Sequence, residues 1–267
     1  MSVWSQGVVD MRFASLGSGS EGNALLVEAK SRTTTTRVLI DCGFSMREAQ
    51  KRLMRLNIDP LTLDAILVTH EHADHISGAY ALSCRFNLPL LMSWGTAQAT
   101  GIARPDSNCR LLRAGETVEI GDLEILPYTV PHDAREPLQF VLSDGRHRLG
   151  ILTDAGEITP HTIQTLHGCA ALVLECNHDR DLLARSAYPP LLKARIGGSH
   201  GHLANDAAAS LLRALDCSQL KHLVAAHLSA TNNRPELAQA ALAAALNAHP
   251  TEICVATQKE GSAWLMV

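Results

Sequence analysis

The chain has 267 residues, of which 46% are hydrophobic and 19% are charged, with a formal net charge of −4. This composition is ordinary for a soluble globular protein, and the length is enough to bury a full core. The slightly acidic balance argues against a protein that binds nucleic acid through its overall charge, so such binding would need a local basic patch.

The predicted elements begin at Met11, because residues 1–10 (MSVWSQGVVD) show no periodicity. We expect those ten residues to be a disordered or vector-derived extension, or the product of a misassigned start. From Met11 onward, short apolar and β-branched runs alternate with helical patterns. The predicted strands are 12–16, 24–28, 37–40, 64–69, 89–92, 123–130, 138–143, 147–153, 171–175, 222–226, 252–256 and 263–267. The predicted helices are 45–57, 76–86, 94–100, 159–166, 204–215 and 235–247.

Two groups of strands, each followed by helices, predict an α/β fold. In this fold two sheets pack against each other and carry helices on their outer faces. No internal repeat or linker interrupts the pattern. Residues 11–267 are therefore expected to form a single domain.

The cysteines and the apolar runs indicate the cellular setting. The seven cysteines are scattered and none are spaced C-x-x-C, which is typical of a reduced cytosolic protein and not of a disulfide scaffold or zinc knuckle. The chain opens with no basic-then-apolar leader, and no apolar run approaches the roughly 20 residues that span a bilayer. We expect a cytoplasmic protein that does not enter a membrane.

The segment DAILVTHEHADHISG, residues 64–78, places four possible metal ligands directly after an apolar strand. His70 and His72 are two positions apart, so an extended backbone directs both imidazoles to one side. Asp74 and His75 follow where the chain turns into the next helix and can reach a neighbouring point. Borderline divalent metals accept imidazole nitrogen together with carboxylate oxygen, so the segment can serve two adjacent ions.

Three more side chains of the same kind follow predicted strands: His132 after Val130, Asp154 after RLGILT, and His227 after HLVAA. A lone histidine at a strand end is more often structural than a ligand, and a polar helix start with surface histidines is the plainer interpretation of residues 70–75. The shared position at strand ends favours a two-metal site in which one carboxylate bridges both ions.

His-x-His-x-Asp-His, a later His, a later Asp and a final His, in this order, resemble the ligand set of the metallo-β-lactamase superfamily. The resemblance covers residues 11–267 and implies an αββα sandwich with two metal ions at one edge. It implies one ion on His70, His72 and His132, a second ion on Asp74, His75 and His227, and a bridging Asp154. Asp41, which follows RVLI, matches a residue expected to orient the HEHADH loop from behind the ligands.

This ligand set predicts a hydrolase. A metal lowers the pKa of bound water from 15.7 toward about 7, and two ions ~3.5–4 Å apart can share one bridging hydroxide that attacks carbon or phosphorus. Asp74 counts here as a catalytic residue as well as a ligand. Zinc and manganese suit the donors, and iron is possible, because His and Asp sites accept each of these metals.

Four further motifs narrow the chemistry: GSGSEGN (17–23), LECNHD (174–179), GSHGHLAND (198–206) and HLSATNN (227–233). Together they resemble a small single-domain group close to the nuclease branch of the superfamily. The resemblance implies a phosphodiesterase that degrades DNA as an exonuclease, with nucleic acid as substrate. The stretch between Asp154 and His227 is too short for the inserted domain of the larger nucleases, which puts a specific RNA-processing role in doubt.

Residues in these motifs are candidates for substrate binding and proton transfer. The candidates for substrate binding are Ser18, Ser20, Asn23, Asn205 and Ser229. His202 is expected to donate a proton or to bind phosphate, and Glu175 with His178 could relay a proton. Some of them have a structural alternative: a tight turn for 17–23, an N-cap for Asn205, and a surface turn for Glu175 and His178.

Helix 45–57 carries Arg47, Lys51 and Arg55 at helical spacing, with Arg52 adjacent. A solvated face is the default interpretation of this basic stripe. The alternative is a track for nucleic-acid phosphates.

Other functional classes stay open on the sequence. A thioester or lactone hydrolase of the glyoxalase II type would use the same seven ligands. A diiron redox enzyme is disfavoured because such proteins usually have an acidic residue at the position of His72. A metal-binding sensor or scaffold without turnover has no distinguishing sequence feature, and the oligomeric state is not predicted.

Overall fold

The computed structural model describes residues 10–102 and 108–267. Its strands are β1 (Asp10–Gly17), β2 (Ala24–Lys30), β3 (Thr35–Ile40), β4 (Ala65–Leu67), β5 (Leu90–Ser93), β6 (Cys109–Leu112), β7 (Val118–Ile120), β8 (Leu123–Thr129), β9 (Leu138–Ser143), β10 (Arg148–Leu152), β11 (Ala171–Glu175), β12 (His222–Ala226), β13 (Cys254–Val255) and β14 (Leu265–Met266). Its helices are α1 (Met46–Arg55), α2 (Ala73–Ile76), α3 (Ala79–Phe86), α4 (Trp94–Thr100), α5 (Pro160–Leu166), α6 (Arg180–Arg185), α7 (Pro190–Ile196), α8 (Asn205–Ala214) and α9 (Pro235–Leu246). Short 3-10 helices cover Pro60–Thr62 and Pro250–Glu252.

The strands form two seven-stranded sheets. The first has the order β14-β1-β2-β3-β4-β5-β6 and the second the order β13-β12-β11-β10-β9-β8-β7. Buried apolar side chains of both sheets, among them Phe13, Val27, Phe140 and Ile151, share one core. Two further clusters pack helices α1 and α3 on the first sheet and α8 and α9 on the second. The predicted α/β sandwich of two sheets with outer helices is confirmed.

Every predicted strand and helix overlaps an observed element of the same type, but the predicted helix 76–86 is interrupted. It divides into α2 and α3 around Ser77 and Gly78. A Cβ at Gly78 would lie 1.9 Å from the carbonyl oxygen of Phe44. The chain therefore passes too close to the β3–α1 connection for any other residue at this position.

Sequence analysis missed β6, β7, α6 and α7. The two strands are only four and three residues long, and among the described residues α7 buries no side chain while α6 buries only Leu183. Such segments have little apolar periodicity to detect. Residues 1–9, the bulk of the expected extension, lie outside the described residues, whereas Asp10 pairs with Lys30 in the first sheet.

The direction of the strands explains where the polar residues gather. Strands β3 to β6 are parallel in the first sheet, and β10 to β13 are parallel in the second. Parallel strands end at the same edge of a sheet, which is where α/β folds place their ligands. None of the described helices has the length and apolar character needed to cross a bilayer.

Candidate metal centre

The HEHADH loop begins where β4 ends and its backbone is fixed by neighbouring elements. Val68 donates its N–H to Leu91 O, and Leu138 donates to Thr69 O. Helix α2 then begins after His72, so that His75 donates its N–H back to His72 O. His70 and His75 are buried, whereas His72 and Asp74 are partly exposed. The loop therefore presents two ligand-type side chains from inside the protein and two from its surface.

Asp41, directly after β3, holds this loop from behind. Its carboxylate accepts hydrogen bonds from the Thr69 N–H at 2.8 Å and from the Thr69 hydroxyl at 2.9 Å. Its Oδ2 also lies 2.8 Å from His75 Nδ1. A carboxylate accepts, so His75 donates through Nδ1 and its Nε2 is left facing Asp154. These are the contacts expected of a residue that orients the loop.

A first cluster consists of His70, His72 and His132, whose ring nitrogens lie within 4.8 Å of one another. His132 Nε2 is 3.2 Å from His72 Nδ1, and His132 Nδ1 donates to the carbonyl of Gly201 at 3.0 Å. His70 Nδ1 contacts the Thr69 hydroxyl at 2.9 Å, while its buried Nε2 has no hydrogen-bond partner in the described residues. His70 and His132 are thus each held through Nδ1, which leaves Nε2 as the possible ligand atom. His72 is held by its contact with His132.

A second cluster consists of Asp74, His75 and His227. His227 Nε2 and His75 Nε2 lie 3.3 and 3.4 Å from the same oxygen, Asp74 Oδ2. Asp154 stands between the two clusters, because its carboxylate lies 3.1 Å from His75 Nε2, 3.5 Å from His227 Nε2 and 4.0 Å from His132 Nε2. The structure therefore brings all seven predicted ligands together.

Three residues of this region have left-handed backbones within two residues of the end of a strand: Asp41 (φ 61°), Asp154 (φ 52°) and His227 (φ 54°). The other described non-glycine residues with positive φ are all asparagines that lie at or just beyond helix ends, Asn57, Asn87 and Asn247. Asn, Asp and His adopt this conformation more readily than other non-glycine residues, and left-handed residues outside helix ends cluster at functional sites.

Glu175 and His202 form a third group that touches both clusters. The buried Glu175 accepts from His202 Nδ1 at 2.8 Å and from the N–H groups of Ala155 and Leu203. The ring centroid of His202 lies 5.3 Å from those of His132 and His227. We interpret this group as a hydrogen-bonded pair and not as a separate cation site, because the short Glu175–His202 contact already occupies Nδ1.

Burial and neighbouring charges shift the pKa values in opposite directions. Burial lowers the pKa of His70 well below its ordinary value, so the ring is neutral. Burial also acts to lower the pKa of His227, but Asp154, Asp74 and Glu175 outweigh it and raise the value to about 10. For Asp154, burial acts to raise the pKa and the charges on His227 and His75 reverse the shift. The carboxylates thus favour the protonated, positively charged form of His227 at this edge of the sheet.

The residues fit a divalent metal on two grounds. Imidazole nitrogen and carboxylate oxygen are the donors that zinc, manganese and iron accept in proteins. In addition, His70 Nε2 and Asp154 Oδ2 are buried without a hydrogen-bond partner among the described residues, although Asp154 Oδ2 lies near His75. Buried polar atoms are rarely left without a partner, and a cation at this point would satisfy both.

The polar residues of the 17–23 loop are engaged within the protein. Ser18 donates its hydroxyl to Asn23 Oδ1 and accepts the N–H of His227 at 2.8 Å. Asn23 Nδ2 lies 3.3 Å from Asp74 Oδ2 and 3.2 Å from His75 Nε2. Both residues are buried and position candidate ligands, whereas Ser20 is exposed. Substrate contact by any of the three stays a prediction.

The predicted residues of the other motifs are also largely buried. Asn205 exchanges two hydrogen bonds with Asn233, at 2.9 and 2.8 Å, and Ser229 accepts the N–H of Asn232. Asn205 is the first residue of α8, so it is not the N-cap. His178 is buried with its Nδ1 unpartnered in the described residues. Glu175 is hydrogen-bonded to His202, and among the described residues it forms no hydrogen bond with the His178 side chain.

Asp133 is a neighbour of the first cluster that sequence analysis missed. Its Oδ1 lies 3.5 Å from His132 Nε2, and its Oδ2 accepts from Arg195 Nε at 2.5 Å. Adjacency to His132 was the available signal, but no pattern in the sequence pairs Asp133 with an arginine 62 positions away.

The basic stripe on α1 is in part a structural element. Arg52 is buried, stacks over Phe44 at 3.9 Å, and donates to the carbonyl groups of Leu16 and Gln258. Arg55 donates to the carbonyl groups of Lys259 and Leu16. These two arginines fasten the helix to the C-terminal segment, which leaves Arg47 and Lys51 as the solvated part of the stripe.

Comparison with known proteins shows the family to which the chain is similar. The beta-lactamase superfamily domain matches residues 36–228. The chain is 32% identical over 232 residues to a protein of Bacillus anthracis called exodeoxyribonuclease YycJ, covering 86% of each chain. It is 32% identical over 236 residues to exodeoxyribonuclease WalJ of Streptococcus pneumoniae, again over 86% of each.

Solved structures show the same fold at lower identity. The metallo-beta-lactamase fold protein YhfI of Bacillus subtilis superposes with a TM-score of 0.73 at 15% identity, covering 97% of this chain and all of that one. Zn²⁺-bound PqqB of Methylobacterium extorquens superposes with a TM-score of 0.69 at 15% identity, over 95% and 99% of the two chains.

Proposed function

This chain belongs to the beta-lactamase superfamily and is a metal-dependent hydrolase, and we propose that it is a dinuclear phosphodiesterase that shortens nucleic acid from an end. The relatives named exodeoxyribonuclease support the substrate class. The observation that carries the proposal is the position of His202. Its ring lies 5.3 Å from a ring of each ligand cluster, and Glu175 fixes its Nδ1.

We assign one ion to the first cluster and a second ion to the second cluster, with Asp154 serving both. The first cluster is His70, His72 and His132; the second is Asp74, His75 and His227. When bound, the two ions supply a water of lowered pKa and positive charge for the oxygens of the substrate. Zinc and manganese are the expected metals, with iron as an alternative.

His202 has the geometry of a proton donor for the leaving group. Cleavage of a phosphodiester expels an alkoxide, which is a strong base and needs a proton as its bond to phosphorus breaks. Because Nδ1 donates to the buried Glu175, Nε2 is the atom left to exchange a proton with substrate. The side chain is 23% exposed, so it is reachable from solvent while its orientation stays fixed.

A thioester is the competing substrate class, because it could use the same two clusters. Its leaving thiolate is a weaker base than an alkoxide and departs without a proton donor. A histidine held between the clusters by Glu175 therefore has a clearer purpose in phosphodiester cleavage than in thioester hydrolysis.

The test joins metal analysis to a substrate panel. We expect two ions per chain and release of nucleotides from end-labelled single-stranded or double-stranded DNA or RNA. A bis-aryl phosphodiester should be hydrolysed in preference to a thioester measured in parallel. Efficient thioester hydrolysis without nuclease activity, under zinc or manganese, would overturn the proposal. Metal binding without turnover on any substrate would leave a sensor or scaffold.

A further inference from the structure

Trp94 is a large aromatic side chain that stays half exposed, at 51%, at the start of α4. Its position relative to the candidate metal centre follows from strand register. Leu67 of β4 and Leu91 of β5 are partners in parallel strands. His70 lies three residues beyond Leu67 and Trp94 three beyond Leu91, so the two residues follow neighbouring parallel strands at the same edge of the sheet.

Helix α4 is fastened to the HEHADH loop. Thr96 donates its hydroxyl to Glu71 Oε2 at 3.3 Å, and Glu71 lies between His70 and His72 in the chain. The other oxygen of Glu71 accepts the N–H of Arg135 at 2.6 Å. Glu71 therefore joins the segment that carries Trp94 to the segment that carries Arg135, directly beside the first cluster.

Arg135 and Trp94 lie on adjoining pieces of backbone. A Cβ at Gly95 would lie 2.5 Å from Glu136 Cβ and 3.1 Å from Arg135 Cγ, and the Gly95 N–H donates to Glu136 Oε2. Arg135 is exposed, and its guanidinium forms no ion pair or hydrogen bond with any residue that the structure describes. This contrasts with Arg195 on the same rim, which pairs with Asp133.

We propose that Trp94 and Arg135 form a subsite for one nucleotide of a single strand, with the indole stacking on an unpaired base and the guanidinium pairing with a phosphate. This inference rests on the proposed function and adds the binding residues to it. An aromatic platform beside a free cation is the arrangement with which proteins hold single-stranded nucleic acid, because every base offers a π-face and every linkage a negative charge. Glu71, which contacts both segments, directly precedes His72 in the chain.

Tryptophan fluorescence tests the stacking without relying on turnover. A phosphorothioate oligothymidylate, which resists cleavage, is titrated into the wild-type chain and into Trp94→Phe. Stacking on Trp94 should quench wild-type emission, and most of that quenching should be lost in Trp94→Phe. Equal quenching in both proteins would overturn the subsite, whether or not the enzyme cleaves DNA.

Binding and kinetics test the energetic role. Trp94→Ala should weaken oligothymidylate binding roughly 5- to 150-fold, the range for losing one stacked base. The ratio of kcat/KM on the oligonucleotide to kcat/KM on a bis-aryl phosphodiester should fall by a similar factor, with Trp94→Phe in between. Arg135→Gln should reduce the slope of log Kd against log salt by about 0.7, one phosphate contact on a single strand.

Leu61→Ala and Arg85→Gln are matched controls. Leu61 is 71% exposed and precedes β4, while Arg85 is an exposed residue near the end of α3 before β5, so both lie at the opposite edge. Neither should change binding or the kinetic ratio. A wild-type chain that cleaves the small phosphodiester but no polynucleotide would overturn the proposed function, while the fluorescence titration would still decide the subsite. Unchanged binding in Trp94→Ala would overturn the subsite alone.

Discussion

Two buried groups of charged residues in this molecule differ in how their charges are compensated. In the first sheet, Glu28 is 3% exposed and each of its oxygens accepts from an arginine at 2.6 Å, Oε1 from Arg12 and Oε2 from Arg37. At the sheet edge, Asp154 is equally buried, yet its Oδ2 has no hydrogen-bond partner in the described residues, and neither has His70 Nε2.

The difference separates a structural ion pair from a group of side chains whose donor atoms fit a divalent metal. A buried carboxylate is tolerated when cations and hydrogen bonds replace its lost hydration. Glu28 has both within the protein, so its cluster is complete. Asp154 has His75 Nε2 at 3.1 Å and His227 Nε2 at 3.5 Å but no arginine or lysine partner among the described residues, and a cation bound between the clusters would compensate its charge. The predictions that follow test this distinction.

The largest effect is expected for Asp154→Asn, which removes one negative charge at nearly constant volume. Bound metal should fall below two ions per chain. Turnover should fall by more than the roughly 10- to 100-fold that is typical of losing a residue that hydrogen-bonds to a metal ligand. Metal content by mass spectrometry and hydrolysis of a bis-aryl phosphodiester measure both. Two ions and near-wild-type activity in this variant would remove Asp154 from the metal centre.

His202→Ala should lower turnover on polynucleotide, whose alkoxide leaving group needs a proton, by about 10²- to 10⁴-fold, the usual contribution of a general acid or base, while metal content stays unchanged. The matched control is His161→Ala, because His161 is an exposed histidine on α5. It should change neither quantity. A loss of metal in His202→Ala would make His202 a ligand, and an unchanged rate would make it structural.

Asp41→Asn should weaken metal binding by roughly 10- to 100-fold, because it removes the charged acceptor that orients His75 and the Thr69 backbone. Titration with a competing chelator gives the affinity. Excess metal should restore most of the turnover, since the ligands themselves are intact. Failure of excess metal to restore activity would show that Asp41 does more than hold the loop.

Glu28→Gln should lower the free energy of unfolding by about 1–2 kcal/mol without changing metal content, because both arginines lose a charged partner but keep access to water. Burial raises the pKa of Glu28, but the hydrogen bonds and charges of Arg12 and Arg37 outweigh it, so the pKa lies below its ordinary 4.5. A depressed carboxyl pKa stabilises the fold above the unfolded-state value and loses that effect as pH falls.

The difference in unfolding free energy between wild type and Glu28→Gln should therefore be constant above about pH 4.5 and shrink below it. Chemical denaturation across this range measures it. Glu119→Gln, an exposed change on β7, should stay within ±0.5 kcal/mol at every pH. A difference that grows as pH falls would contradict the assignment of the shift to the arginines.

The sequence alone determined the sandwich architecture and the candidate ligands, because both have local signatures. Apolar alternation and length define most strands and helices without reference to distant residues. His70, His72, Asp74 and His75 lie within six positions, so the geometry of one strand end brings them together. Local signals fail where segments are short or little buried, as in β6, β7, α6 and α7.

Only the tertiary structure decided the partners of the residues around the ligands. It paired Glu175 with His202, 27 positions away, and turned Arg52 from a surface cation into a buried donor for carbonyl groups. It also brought Trp94 and Arg135 to one rim through Glu71. Such pairings depend on how the two sheets pack. The identity of one residue does not indicate which distant side chain it will contact.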